Sequence, residues 1–188
     1  MSPLEITAVV ITTLAIWLTA RRHMLCWPLN LIACALYFKL FLDVRLYADM
    51  GLQALFGLGI VYGWIIWAQG KRQDGAVIVV PLTVRAAALG LAAGAMGAGL
   101  IGWLTSHYTN AALPWLDSTL SSFSLVAQYW TARRHAANWL LWIALDVVYV
   151  AMFVMKALYL TAGLYAALTI LAVLGFRHWR KAAKGQAG

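Results

Sequence analysis

The amino-acid sequence predicts an all-α integral membrane protein of seven transmembrane helices, and three observations lead there. The 188 residues are 64% hydrophobic and only 11% charged, with a mean hydropathy of +0.80. A soluble domain carries roughly 25% charged and 45–50% apolar residues. The charges sit in short clusters separated by apolar runs, each near the ~20 residues that carry a helix through ~30 Å of hydrocarbon. Lipid offers no partner to an unpaired backbone N–H or C=O, so such runs must be helical. Finally, the first part of the chain recurs in the last part.

Taken in order, the expected spans are Leu4–Ala20, Met24–Leu42, Tyr47–Ala68, Leu82–Thr105, Trp115–Thr131, Ala137–Met155 and Leu158–Phe176. The loops between them are short, so residues 1–188 read as one transmembrane domain with no room for a folded water-soluble enzyme. The first charge is Glu5, and Arg21 and Arg22 follow the first apolar stretch, the reverse of a secretory signal. If the helices alternate, Arg21, Arg22, Lys71, Arg72, Arg85, Arg133, Arg134, Arg177, Arg180, Lys181 and Lys184 share one side. Only Lys39, Arg45 and Lys156 fall on or near the other. The positive-inside rule then places the N-terminus outside and the C-terminus in the cytoplasm. The net charge of +8 is read as topology anchoring against anionic headgroups of the bilayer, not as a nucleic-acid footprint. Cys26 and Cys34 belong to no metal-ligand spacing, and His23, His107, His135 and His178 are scattered at helix ends. No metal or cofactor is expected.

The repeat sets the expected architecture. Ala20-Arg21-Arg22-His23 recurs as Ala132-Arg133-Arg134-His135, and the register continues without a gap. Trp27 falls on Trp139, Tyr37 on Tyr149, Leu46-Tyr47 on Leu158-Tyr159, Gly51-Leu52 on Gly163-Leu164, Gly63 on Gly175 and Trp67 on Trp179. Upstream, Glu5 falls on Asp117 and Trp17 on Tyr129. A first bundle over 4–68 thus repeats as a second over 115–176, with 82–105 as the connector. An odd connector gives both triplets the same orientation, a 3+1+3 parallel repeat about an axis along the membrane normal. The connector is rich in small residues, including Gly90, Gly94, Gly97, Gly99 and Gly102. These, with Gly59 and Gly63, are read as surfaces for close helix packing, with an oligomer contact as the alternative.

Polar residues inside a membrane are costly, which makes them functional candidates. Asp146 lies mid-span in Asn138-Trp139-x-x-Trp142-x-x-x-Asp146, and steps of three and four put Trp139, Trp142 and Asp146 on one helical face. Two indoles and a carboxylate suit a flat cationic ring, each indole face contributing ~0.5–2 kcal/mol. The competing reading is an interface belt for Trp139 and a protonated or Lys-paired Asp146. At the repeat-equivalent positions Trp27 and Asn30 mirror Trp139 and Trp142, while Cys34 stands where Asp146 does. The amides of Gln53 and Gln128 could bond a ligand or join helices. Tyr37, Tyr47, Tyr149 and Tyr159 read first as packing residues, with Tyr149 carried as a site candidate.

There is no P-loop, HExxH, nucleophile elbow or dinucleotide fingerprint, and no ladder of intramembrane carboxylates for a proton relay. An intramembrane enzyme would need paired catalytic groups on facing helices, and a sugar carrier would have no use for a carboxylate. A facilitator is expected over a pump, with an intramembrane enzyme, a structural or assembly membrane protein and a sugar carrier as the alternatives.

The chain resembles the Pnu family of bacterial vitamin transporters. The resemblance covers nearly the whole chain and is densest in Leu46-Tyr47-Ala48 through Gln53, Tyr62-Gly63-Trp64-x-x-Trp67, Asn138-Trp139-Leu140-Leu141-Trp142 through Asp146, and Leu158-Tyr159-Leu160-Thr161 to Gly175 and Trp179. It implies a SWEET-like three-one-three architecture, a homotrimer in the bacterial plasma membrane, and facilitated diffusion of an unphosphorylated vitamin precursor trapped by a cytoplasmic kinase. It also implies a site lined by Trp139, Trp142 and Asp146 opposite Gln53, Asn30 and Gln128. Riboside transporters of the family often carry Asn where this chain has Asp146. Nicotinamide riboside and thiamine both present a cationic ring, whereas riboflavin is neutral and larger. The expected order of substrates is therefore nicotinamide riboside, thiamine, then riboflavin.

Overall fold

A computed structural model of the chain describes residues 3–43, 47–70, 77–109, 113–155 and 159–186. Among them seven helices run in order: α1 Pro3–Ala20, α2 Cys26–Asp43, α3 Tyr47–Gln69, α4 Val84–Tyr108, α5 Pro114–Ala132, α6 Asn138–Met155 and α7 Tyr159–Gly185. Arg45, Leu46, Lys71, Arg72, Lys156 and Leu158, and the side chains of Glu5, Tyr47, Ala48 and Leu160, lie outside what is described. Among the described residues four segments are long and apolar enough to cross a membrane: Met50–Gln69, Val84–Tyr108, Asn138–Met155 and Thr161–Gly185. The described apolar parts of α1 and α2 run over Ile6–Ala20 and Cys26–Leu40. The fifth expected span is helical but too polar to join that set, because α5 carries Ser118, Thr119, Ser121, Ser122 and Ser124.

The last span ends much later than expected. Its apolar run stops at Phe176, but α7 continues to Gly185. Charge ended the hydropathy signal without ending the helix, since Arg, Lys and Ala are all good helix formers. Trp179 anchors the extension, being fully buried while Arg177, Arg180, Lys181 and Lys184 are exposed.

Six helices form a closed ring. α1 packs on α2, α2 on α3, α3 on α5, α5 on α6, α6 on α7, and α7 returns to α1. α4 stands outside the ring, against α5. Its glycines explain the closeness of that contact. A Cβ on Gly90, Gly94 or Gly102 would fall 2.6–2.9 Å from the rings of Trp130, Phe123 and Trp115, all on α5. Ser122 Oγ donates to the Gly94 carbonyl at 2.9 Å. The small-residue face is thus taken up within the chain. Outward, α4 shows Leu89, Met96, Leu100 and Trp103, an apolar surface suited to lipid.

The repeated Ala-Arg-Arg-His stretch folds the same way twice. His23 N donates to Leu18 O and Arg22 N to Thr19 O, both at 2.9 Å; His135 N donates to Trp130 O at 2.9 Å and Arg134 N to Thr131 O at 3.0 Å. These are paired helix-terminating bonds that require a left-handed residue, a position glycine usually takes. Here it is arginine, at φ 57° for Arg22 and 65° for Arg134, a conformation costing roughly 1–2 kcal/mol. The side chains offset that cost by reaching distant carbonyls. Arg22 Nη1 donates to Val77 O at 2.8 Å and Arg134 Nη1 to Gly70 O at 3.0 Å. An extended segment at 77–83 crosses this end of the ring. Val80 N donates to Arg134 O at 3.0 Å, His135 Nδ1 lies 3.0 Å from Val80 O, and Val79 N donates to Gln186 Oε1 at 3.2 Å.

Four tryptophans fill the ring just inside that end. Trp27, Trp67, Trp179 and Trp139 form a chain of contacts with centroids 5.1, 5.7 and 5.8 Å apart. Trp67 Nε1 of α3 donates to Thr131 O of α5 at 3.1 Å, and Trp179 Nε1 of α7 donates to Thr19 O of α1 at 3.2 Å. Glycines admit the outer pair: a Cβ on Gly175 would sit 2.7 Å from the Trp139 ring, and one on Gly63 would overlap the Trp27 ring.

Candidate functional site

Inside the ring lies a cavity of about 530 Å³, within the roughly 300–1,000 Å³ of sites for small molecules. All six ring helices line it and α4 does not. The α6 face supplies Trp139, Trp142, Asp146, Tyr149 and Phe153, at helical spacing. The α2 face supplies Trp27, Asn30, Cys34 and Tyr37, and α3 supplies Gln53, Phe56 and Ile60. Thr12, Ile16 and Thr19 come from α1, and Tyr165, Leu168 and Ala172 from α7. The polar α5 contributes Asp117, Ser121, Ser124, Gln128 and Thr131.

Of the nine candidates named from the sequence, Trp27, Asn30, Gln53, Gln128, Trp139, Trp142, Asp146 and Tyr149 all reach this wall. Asn138 does not. It opens α6 fully buried, and its Nδ2 donates to His135 O at 2.6 Å, so its amide holds the turn into the helix. Trp139 is 2% exposed, which removes it from any interfacial belt.

The chemistry of the wall is uneven. Trp27 and Trp139 line it with indole N–H groups that are buried and unpartnered. Asn30 Nδ2 bonds one turn back to Cys26 O at 2.8 Å, leaving its oxygen. Cys34 Sγ lies 2.9 Å from Gln53 O and 3.2 Å from Gln53 Oε1. Asp146 is 6% exposed, and among the described residues no cationic side chain pairs with its carboxylate. Beyond it the rings of Tyr149, Phe153 and Tyr165 cluster, with Tyr149 and Tyr165 centroids 4.6 Å apart and tilted by 31°. Among the described lining residues two are acidic, Asp117 and Asp146, and none is Lys, Arg or His. A buried carboxylate without a counter-charge costs several kcal/mol, so the cavity favours a cation with aromatic faces over an anion.

Several wall residues had no strong sequence signal. Ser121, Ser124, Thr131 and Asp117 follow from the polar face of α5, which hydropathy alone treats as a weak span. Tyr165 sits where the repeat puts Gln53, and Tyr37 where it puts Tyr149. The wall is therefore built of equivalent positions: Thr12 with Ser124, Ile16 with Gln128, Thr19 with Thr131, Asn30 with Trp142, Cys34 with Asp146.

Over residues 2–181 the chain matches the family described as nicotinamide mononucleotide transporter. It is similar to the nicotinamide riboside transporter PnuC of Escherichia coli (strain K12), with 26% identity over 209 residues, covering 98% of this chain and 87% of that one. The nicotinamide riboside transporter PnuC of Neisseria mucosa is 27% identical over 174 residues, covering 85% of this chain and 65% of that one. Among solved structures, the crystal structure of the vitamin B3 transporter PnuC aligns with a TM-score of 0.75 at 26% identity, covering 96% of this chain and 82% of that one.

Proposed function

Because the chain belongs to the nicotinamide mononucleotide transporter family, a family of membrane transporters and not of enzymes, we propose that it is a uniporter for nicotinamide riboside. The family description and the relatives' names differ by one phosphate. The cavity wall favours the riboside: among its described residues it holds Asp117 and Asp146 and no cationic side chain. A phosphate dianion in that space would face carboxylates with nothing to neutralise it, whereas the pyridinium of the riboside supplies the charge that Asp146 lacks. That absence of cationic lining is the observation that carries the reading. Trp139 and Trp142 would hold the ring by stacking and cation–π attraction, and Asn30, Gln53, Gln128, Ser124 and Thr131 would meet the ribose hydroxyls. Thiamine shares the cationic ring but not the relatives' substrate, and riboflavin has no charge for Asp146 to meet.

Transport follows from the ring if the two triplets α1–α3 and α5–α7 are parallel repeats that rock about the cavity, with α4 as connector and all seven helices crossing the bilayer. The double occurrence of the arginine turn and of the tryptophan–carbonyl bond supports this. Those two bonds join α3 to α5 and α7 to α1, the two seams between triplets, so opening the tryptophan end must break both. The basic end would face the cytoplasm of the bacterial inner membrane, with the N-terminus outside. Movement would be facilitated diffusion through a homotrimer, drawn inward by phosphorylation after release.

The test is a tryptophan-quenching titration of the purified protein with nicotinamide riboside, nicotinamide mononucleotide, thiamine and riboflavin. Saturable quenching by the riboside alone is expected. Tighter binding of the mononucleotide than of the riboside would overturn the assignment.

A further inference from the structure

A second recess, of about 200 Å³, lies where α3 ends and α5 turns into α6. Its wall includes Gln69, Gly70, Arg133, Arg134 and His135, and among the described residues no Asp or Glu. It has room for about six waters at ~30 Å³ each, more than a phosphate group needs.

Among the described residues no carboxylate answers the charges here. Arg133 and Arg134 are adjacent, Arg133 exposed and Arg134 half-buried. Among the described residues Arg133 Nη1 meets only the Tyr62 hydroxyl, at 3.4 Å. Arg134 Nη1 donates to Gly70 O, but its Nε is buried with no partner. Burial, and then the neighbouring Arg133 charge, push the Arg134 pKa below the usual guanidinium value. The Gly70 carbonyl satisfies one donor of a group that carries five. A buried donor left unmade is costly, and two like charges at one recess call for an anion.

We propose that this recess binds a phosphate group, supplied by the headgroup of an anionic phospholipid or by a soluble phosphate ester. The planar forks of two arginines match phosphate oxygens in pairs. The glycine at position 70 keeps the approach narrow, since a Cβ there would overlap the Arg134 guanidinium. The proposal stands apart from the reading of the central cavity, whose wall contains none of these residues.

The test uses the full chain, delipidated in a neutral detergent. Phosphatidylglycerol and the phosphate-free lipid monoolein are added in mixed micelles and adducts counted by native mass spectrometry. Inorganic phosphate is added separately, read by thermal unfolding and by competition with the lipid. Retention of phosphatidylglycerol but not monoolein, without competition by phosphate, assigns the lipid as source. Competition by millimolar phosphate assigns a soluble ester. The variant Arg133→Gln/Arg134→Gln should weaken binding by at least roughly tenfold, the loss of one charge-assisted hydrogen bond. The charge-matched Arg177→Gln/Arg180→Gln should weaken it less than about twofold. Should the first variant fold poorly, Arg133→Gln alone carries the test, because that side chain is exposed. No binding of either probe, or equal loss in the two charge-matched variants, would overturn the proposal.

Discussion

Adding one methyl group at Gly175 tests how tightly the tryptophan end is built. A Cβ at this position would lie 2.7–2.9 Å from three atoms of the Trp139 ring. The ring cannot retreat easily, since Trp139 is 2% exposed and packs edge-on to the fully buried Trp179. Overpacking of this kind costs about 1–3 kcal/mol, against a helix-propensity gain of up to ~1 kcal/mol for Gly→Ala. The net expectation for Gly175→Ala is ~1–2 kcal/mol of destabilisation. Gly63→Ala should cost more, because the Trp27 ring approaches that site more closely. Gly99→Ala is the internal control: nothing lies within 4 Å of its Cβ position, so it should be neutral or stabilising by up to ~1 kcal/mol. Thermal unfolding of the three variants in one detergent reads the order directly. Riboside affinity should fall with Gly175→Ala, since the displaced Trp139 lines the cavity. Equal melting temperatures for Gly63→Ala, Gly175→Ala and Gly99→Ala would refute the packing argument.

Other perturbations separate the parts of the cavity. Trp142→Ala should abolish riboside uptake with expression and oligomer size unchanged, and normal uptake by a folded variant would remove Trp142 from the site. Asp146→Asn should weaken riboside binding by ~2 kcal/mol, or about 30-fold, and should change binding of the reduced, neutral riboside by less than about threefold. Isothermal titration with both ligands checks this, and equal losses would make the carboxylate structural. Trp67→Phe and Trp179→Phe each remove one indole hydrogen bond across a seam, worth ~1 kcal/mol net. Each should therefore speed labelling of the cavity thiol Cys34 by a soluble maleimide, and the double variant should add the two effects.

The sequence was most legible where a physical pattern repeats. All seven helices can be read from apolar runs, because charge marks where each run meets water. The Trp139, Trp142 and Asp146 face can be read because helical spacing puts all three on one side, and they do share one wall. The equivalence of Trp27 with Trp139 and of Gly63 with Gly175 anticipates the ring-on-glycine contacts. Legibility fails where one residue type serves two purposes. Asn138 looks like a ligand amide, yet a buried Asn at a helix start serves its own turn. Single serines on α5 give no signal until the ring closes around them. Tyr165 carries no signal in the sequence, and only its place beside Tyr149 reveals it as wall. The end of α7 is missed because hydropathy reports where lipid ends, and a helix can outlast it.

The most direct test is uptake of labelled nicotinamide riboside into proteoliposomes with no ion gradient, with nicotinamide mononucleotide as competitor. A uniporter with an acidic cavity should equilibrate the riboside saturably, show counterflow from preloaded vesicles, and ignore the mononucleotide. Uptake that collapses without a proton or sodium gradient, or that the mononucleotide blocks as well as the riboside does, would contradict the account.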